Sequence, residues 1–190
     1  MSGPLPAPLI AATSGAADAS GARGRVTNVV FAGLGGQGVI TASDILADAA
    51  LRAGLDVKKA EVHGLSQRGG SVTSDVRFGE KVLSPMVPAA EADFVVVLAL
   101  SEVEAARSLL RPGGVLLGPD LISDDELPNK RSLNVALLGA LSVRLPIPVA
   151  CLLEAARVAL PERLHVTNEQ AFELGRRKAL ARAAVSQPAE

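Results

Sequence analysis

"VTNVVFAGLGGQGVITASDILADAALRAGLDVKKAEV", Val26 to Val62, decides the fold. Val26–Gly33 is a short run rich in β-branched side chains that ends in glycine, the pattern of a strand buried on both faces of a parallel sheet. From Val39 the period changes. Val39, Ile40, Ile45, Leu46, Ala49 and Ala50 recur at three-to-four spacing, which predicts an amphipathic helix closed by Gly54. "LDVKKAEV", 55–62, reads as a strand again. Strand, glycine turn, helix and strand make a βαβ unit with a right-handed crossover.

Outward from that unit, "SVTSDVRFG" (71–79) and "KVLSP" (81–85) alternate in polarity across a turn-sized "FGEK" containing Gly79, which predicts an antiparallel hairpin. "ADFVVVLAL" is apolar enough for a central strand. The helix "SEVEAARSLL" follows, with Ser101 and Glu104 at capping-box spacing, then the strand "GGVLLGPD" after an "RPGG" turn. Beyond Asp120, "RSLNVALLGALSVRL", "PVACLLEAARVAL" and "NEQAFELGRRKALARA" each carry apolar residues at helical spacing. The expected fold class is α/β: a three-layer Rossmann-like, mostly parallel sheet with an antiparallel hairpin and a helical C-terminal third. One domain over 26–183 is expected, between an alanine-, glycine-, serine- and proline-rich disordered leader (1–25) and a disordered tail (184–190).

Composition removes several function classes. The chain has 190 residues, a formal net charge of -1 and no basic run that could track a phosphate backbone. With no Trp, no Tyr and four Phe, it lacks a platform for stacking bases. Nucleic acid is therefore not an expected partner. No apolar run approaches the roughly eighteen residues of a membrane span, and the N-terminus lacks the basic flank and apolar core of a secretory signal, so the expected location is cytoplasmic. The single cysteine, Cys151, can form neither an internal disulfide nor a thiolate cluster. It falls on the apolar side of a predicted helix and reads as core packing. His165 reads as surface, and Asp124 and Asp125 as a solvated loop. No metal site is expected on this chain.

Two glycine-rich stretches carry the chemistry. "GLGGQG" puts Gly33, Gly35 and Gly38 in G-x-G-x-x-G register after a strand and at the start of a helix, where backbone can approach a phosphate and the helix N-terminus can meet its charge. Gly36 belongs to the same turn. Glu61 falls roughly where a ribose-binding acid would, yet the glycines can equally serve only a tight turn and close helix–sheet packing. In "HGLSQRGGSV", Gly69 and Gly70 allow positive φ and expose amide donors, Arg68 offers a planar fork for carboxylate or phosphate, and Gln67 and His63 add hydrogen-bonding groups. That loop reads either as facing a ligand or partner, with His63 as a candidate general base, or as a structural turn in which Arg68 pairs with a carboxylate such as Asp75.

With both motifs in view, the stretch from "GLGGQG" through "HGLSQRGGSVTSDVRFG" and "SPMVPAAEADFVVVL" closely resembles the gamma-type domain of the 2-oxoacid:ferredoxin oxidoreductases, and in particular the beta subunit of their indolepyruvate branch. The resemblance runs from about Val26 to Leu180 and includes "NVALLGAL" and "NEQAFELG". It implies oxidative decarboxylation of a 2-oxoacid, with an arylpyruvate such as indolepyruvate expected. Coenzyme A is the implied co-substrate and ferredoxin the electron acceptor. It implies a companion alpha subunit holding thiamine diphosphate, Mg2+ and [4Fe-4S] clusters, this chain binding none of them and being inactive alone. His63, Gln67 and Arg68 would then line an active-site or partner-facing loop, and Gly33, Gly35, Gly36, Gly38, Gly69 and Gly70 would let an anion approach. The chain departs from the family after "FVVVLA", where many members carry a glutamate and this one has Leu100 and Ser101. The alternatives are a Rossmann-like dinucleotide-binding regulatory module and a purely structural assembly subunit.

Overall fold

The structure, a computed structural model, describes residues 25–63 and 69–185. Its strands are β1 (Thr27–Leu34), β2 (Asp56–His63), β3 (Ser71–Gly79), β4 (Ala92–Val97) and β5 (Leu110–Leu117). They form one open sheet in the order β2-β3-β1-β4-β5. β1 is central and six of its eight residues are buried, as the apolar run requires. It pairs in parallel with β4, and β4 in parallel with β5, while β3 runs antiparallel to both β1 and β2.

The expected hairpin exists with a different partner. β3 pairs along its length with β2, from Asp56 opposite Gly79 to His63 opposite Val72, and "KVLSP" forms no strand. Pro85 and Pro88 lack the N–H a ladder needs. Residues 80–91 instead form a strap fastened to sheet side chains. Asp56 accepts from the Val82 N–H (2.8 Å), Arg77 donates to the carbonyls of Ser84 (3.0 Å) and Met86 (3.1 Å), and Asp75 accepts from the Val87 N–H (2.8 Å). β3 thus lies between the two strands of the βαβ unit.

The helices are α1 (Val39–Arg52), α2 (Val103–Arg107), α3 (Leu133–Ser142), α4 (Val149–Ala159) and α5 (His165–Val185). α1 buries Val39, Ala42, Ile45, Leu46, Ala49 and Ala50 and stops at Gly54, whose φ is +80°. One face of the sheet, with Phe31, Val76, Phe78 and Val96, shares a core with α1, α3, α4 and α5. Complete burial of Phe31 and Phe78 contributes on the order of 2–3 kcal/mol each. On the other face Val30, Ala32, Val95, Val97 and Leu116 meet Val103 and Ala106 of α2, which makes the third layer thin.

The expected capping box is absent. Ser101 lies in a 3-10 turn, Leu100–Glu102, and neither that turn nor α2 has a side-chain cap. "RPGG" is not a turn before β5 but lies inside it. The pairing with β4 jumps from Ala92–Leu110 to Phe94–Val115, because Pro112 cannot donate and Gly113 takes φ +75°. α3 is buried from Asn134 to Ser142, so it is the helix the others wrap. It meets α5 at two glycines: a Cβ at Gly139 would stand 2.0 Å from the Phe172 carbonyl oxygen, and one at Gly175 1.7 Å from that of Ala136. α5 continues to Val185, so the expected tail begins two residues inside a helix; residues 1–24 and 186–190 lie outside the described residues. Among the described residues no helix is long and apolar enough to cross a membrane.

Candidate functional site

The order β2-β3-β1-β4-β5 places a topological switch beside β1, with the chain leaving toward β2 on one side and continuing into β4 and β5 on the other. Ligands of open α/β sheets bind beyond the carboxyl ends of strands at such a point. The "GLGGQG" turn stands there. Gln37 staples it, accepting from the Leu34 N–H through Oε1 (2.8 Å) while its own N–H donates to the Leu34 carbonyl (3.1 Å). Gly33 is pinched: a Cβ there would lie 2.9 Å from Gln37 Oε1, 3.0 Å from Val39 Cγ2 and 3.1 Å from Leu98 Cβ. Gly36 and Gly38 take φ of +92° and +83°, the left-handed region that glycine enters without strain.

The second motif arrives at the same place. The Gly35 N–H donates to the Gly70 carbonyl at 3.0 Å, and Gly69 has φ +68°. Ser71 Oγ then hydrogen-bonds Glu102 Oε2 (2.8 Å), a bridge over the end of β1 from β3 to the turn after β4. Gly35, Gly36, Gln37 and Gly69 are exposed, so glycine backbone forms an open rim. α1 starts from this rim, and the N–H groups of its first turn have no intrahelical acceptor. Glycine backbone beside a helix N-terminus is suited to phosphate or carboxylate.

His63 closes β2 opposite Val72, which brings its backbone to this edge; its side chain, Gln67 and Arg68 lie outside the described residues. The alternative pairing of Arg68 with Asp75 falls there too. Asp75 itself accepts from Val87, and burial pushes its pKa up against that bond and the charge of Arg77. Glu61 is not free for a ribose. It pairs with Lys59, which also pairs with Asp44 of α1. Burial works against the Lys59 ammonium, but these carboxylates outweigh it and raise its pKa.

His165 is half-buried rather than fully on the surface, with Nε2 2.8 Å from the Leu160 carbonyl oxygen, and Cys151 packs partly buried against the core. Asp124 and Asp125 are exposed. Among the described residues no three His, Cys, Asp or Glu side chains gather as metal ligands.

One residue at the rim lies outside both glycine motifs. Asn134, second in α3 and 6% exposed, donates through Nδ2 to the Gly38 carbonyl at 3.3 Å. Its signals in the sequence are an amide at the head of an otherwise apolar helix and its place as the first residue of "NVALLGAL", one of the stretches that carry the resemblance.

Comparison with known proteins identifies the family and the fold. At 35% identity, covering 78% of this chain and 93% of the relative, the chain is similar to the indolepyruvate oxidoreductase subunit IorB of Thermococcus kodakarensis. Its fold is similar to the gamma subunit of a keto/oxoacid ferredoxin oxidoreductase from Geobacter sulfurreducens, with a TM-score of 0.67, 24% identity and 83% of this chain matched to 98% of that one. It is also similar to part of the 2-oxoglutarate:ferredoxin oxidoreductase from Magnetococcus marinus, solved with 2-oxoglutarate, coenzyme A and succinyl-CoA bound. The TM-score there is 0.68 at 24% identity, with 82% of this chain matched to 31% of that one. Residues 28–128, which hold the whole glycine rim and the strands that carry it, match the family model described as pyruvate ferredoxin/flavodoxin oxidoreductase, and to that family the chain belongs.

Proposed function

We propose that this chain is the cluster-free subunit of a thiamine diphosphate-dependent 2-oxoacid:ferredoxin oxidoreductase, acting on an arylpyruvate such as indolepyruvate and active only with a companion subunit. In the overall reaction the bond between the 2-oxo carbon and the carboxylate breaks and carbon dioxide leaves. A thioester bond to coenzyme A forms, the thiol proton is released, and two electrons pass to two ferredoxins. Thiamine diphosphate supplies the electron sink for that decarboxylation. The residues here do not fit the redox groups: the only cysteine is Cys151, in α4, and an iron–sulfur cluster needs several thiolates. The clusters are accordingly assigned to the companion, and thiamine diphosphate and Mg2+ are assigned there on the family resemblance.

Family membership supports the reaction class, and the observation that carries the role of the rim is the Gly35–Gly70 hydrogen bond, which joins the two motifs beside the head of α1. The role assigned to the rim is to meet the anionic part of coenzyme A where the two subunits adjoin. A dinucleotide-binding module is less well supported. β3 separates β1 from β2, and Glu61 is held by Lys59, so the acid that would read a ribose is a strand too far and already paired.

Anaerobic reduction of a viologen dye, dependent on arylpyruvate and coenzyme A, tests the reading with this chain alone, the companion alone and the two mixed. Activity is expected only in the mixture. Full activity of the companion alone, or none in the mixture with any 2-oxoacid, would overturn it.

A further inference from the structure

We propose that Asn134 is a positioning residue for coenzyme A: by holding the Gly38 carbonyl it fixes the peptide planes of the Gly35–Gly38 turn that meet the acyl acceptor's phosphates. This rests on the assignment of the glycine rim to coenzyme A.

A buried amide is costly unless it is bonded, and α3 is otherwise apolar from Val135 to Leu141, so packing alone would favour an aliphatic side chain at 134. Nor is Asn134 needed to satisfy Gly38, whose carbonyl already accepts from the Ala42 N–H at 3.0 Å. What the amide adds is a tie between residues 96 apart in sequence, from the head of α3 to the head of α1. The approach is possible only because Gly38 has no side chain; a Cβ there would stand 2.4 Å from Asn134 Nδ2. Gly38, at φ +83°, is where the turn ends and α1 begins, so rotation of that residue swings both the turn's peptide groups and the first N–H groups of the helix. α3 is the most enclosed helix and is locked to α5 at Gly139 and Gly175, so the amide ties the turn to a rigid body.

The test uses the complex assembled with its companion. Asn134→Ala removes the amide, and Asn134→Asp keeps its shape while replacing the donor by an acceptor. Leu152→Ala, at a fully buried core position of α4, serves as a variant that lowers stability without touching the rim. Asn134→Ala is expected to raise KM for coenzyme A by about tenfold, with kcat and KM for the 2-oxoacid within about twofold, and Asn134→Asp to raise it further.

If Gly35→Val raises KM for coenzyme A but neither Asn134 variant does, the positioning role is wrong and the rim assignment stands. A fall in kcat and melting temperature that Leu152→Ala reproduces, with both KM values unmoved, would mark Asn134 as structural only. If Gly35→Val also leaves KM for coenzyme A unchanged, the rim is not the acyl-acceptor site and the inference falls with it.

Discussion

Gly35 and Gly70 share one hydrogen bond, 3.0 Å from amide to carbonyl oxygen, and through it two motifs separated by a helix and a strand become one surface. The bond is made by backbone alone, so its geometry depends on the φ values of the glycines around it.

Gly38→Ala disturbs that geometry twice. The methyl would stand 2.4 Å from Asn134 Nδ2 on a residue at φ +83°, and the combined strain is expected to cost about 2–4 kcal/mol. Urea denaturation followed by circular dichroism reads the loss; a change under about half a kcal/mol, on the scale of ordinary surface substitutions, would contradict it.

Gly175→Ala is expected to be worse and Gly36→Ala milder, although only Gly36 has positive φ. A Cβ at 175 meets the Ala136 carbonyl oxygen at 1.7 Å and must push α5 off α3, at a cost of about 3 kcal/mol or more. At 36 the space is open and only the backbone term remains, about 1–2 kcal/mol. Melting temperatures of the pair in one buffer check the order.

Asp93 gathers the lower edge of the sheet. Its side chain is 8% exposed, accepts from the Asn28 N–H at 2.8 Å and pairs with Arg25 at 2.7 Å and Arg111 at 2.6 Å. Asp93→Ala leaves a buried amide without its acceptor, while water can take over the two more exposed guanidiniums. The expected loss is therefore about 1–3 kcal/mol rather than the larger figure of a fully buried pair. Equilibrium unfolding in urea tests it.

Asp75 makes stability depend on pH in the less usual direction. Burial raises its pKa in the folded chain, so protonation favours folding. Its stabilising contribution is complete below the unfolded value, 3.8, and is lost as pH rises through the raised folded value. Relative to Asp75→Asn, the natural chain is therefore expected to gain stability as pH falls from neutrality into the acid range. A pH-independent difference between the two denaturation curves would refute this.

The strands and helices are mostly legible in the sequence because period and length are local properties. β1, α1 and α4 lie within a residue or two of where their apolar spacing puts them, whereas α3 is shorter than its sequence pattern at both ends and α5 starts three residues before its pattern, at His165. Strand partners are less legible. Residues 71–79 alternate equally well for a hairpin with 81–85 or with 55–62, and only the two prolines of the strap argue against the pairing that fails. The glycine positions are visible as motifs, but their meeting is not, since a backbone bond between Gly35 and Gly70 leaves no residue-type signature. Asn134 escapes for a related reason: an amide near a helix start reads as a local cap, whereas its partner is 96 residues away.

The reversed direction of β3 has a consequence for how such a chain can change. Run the other way in the same slot, nine residues of strand would carry Gly69 and Gly70 to the far edge of the sheet, about 30 Å from Gly35. The pairing of motifs is thus a property of strand polarity, and the hairpin between β2 and β3 is the joint that sets it. Variation in that hairpin's length would reshape the rim while leaving every strand in place, a route by which one scaffold could be fitted to different companions without rebuilding its core.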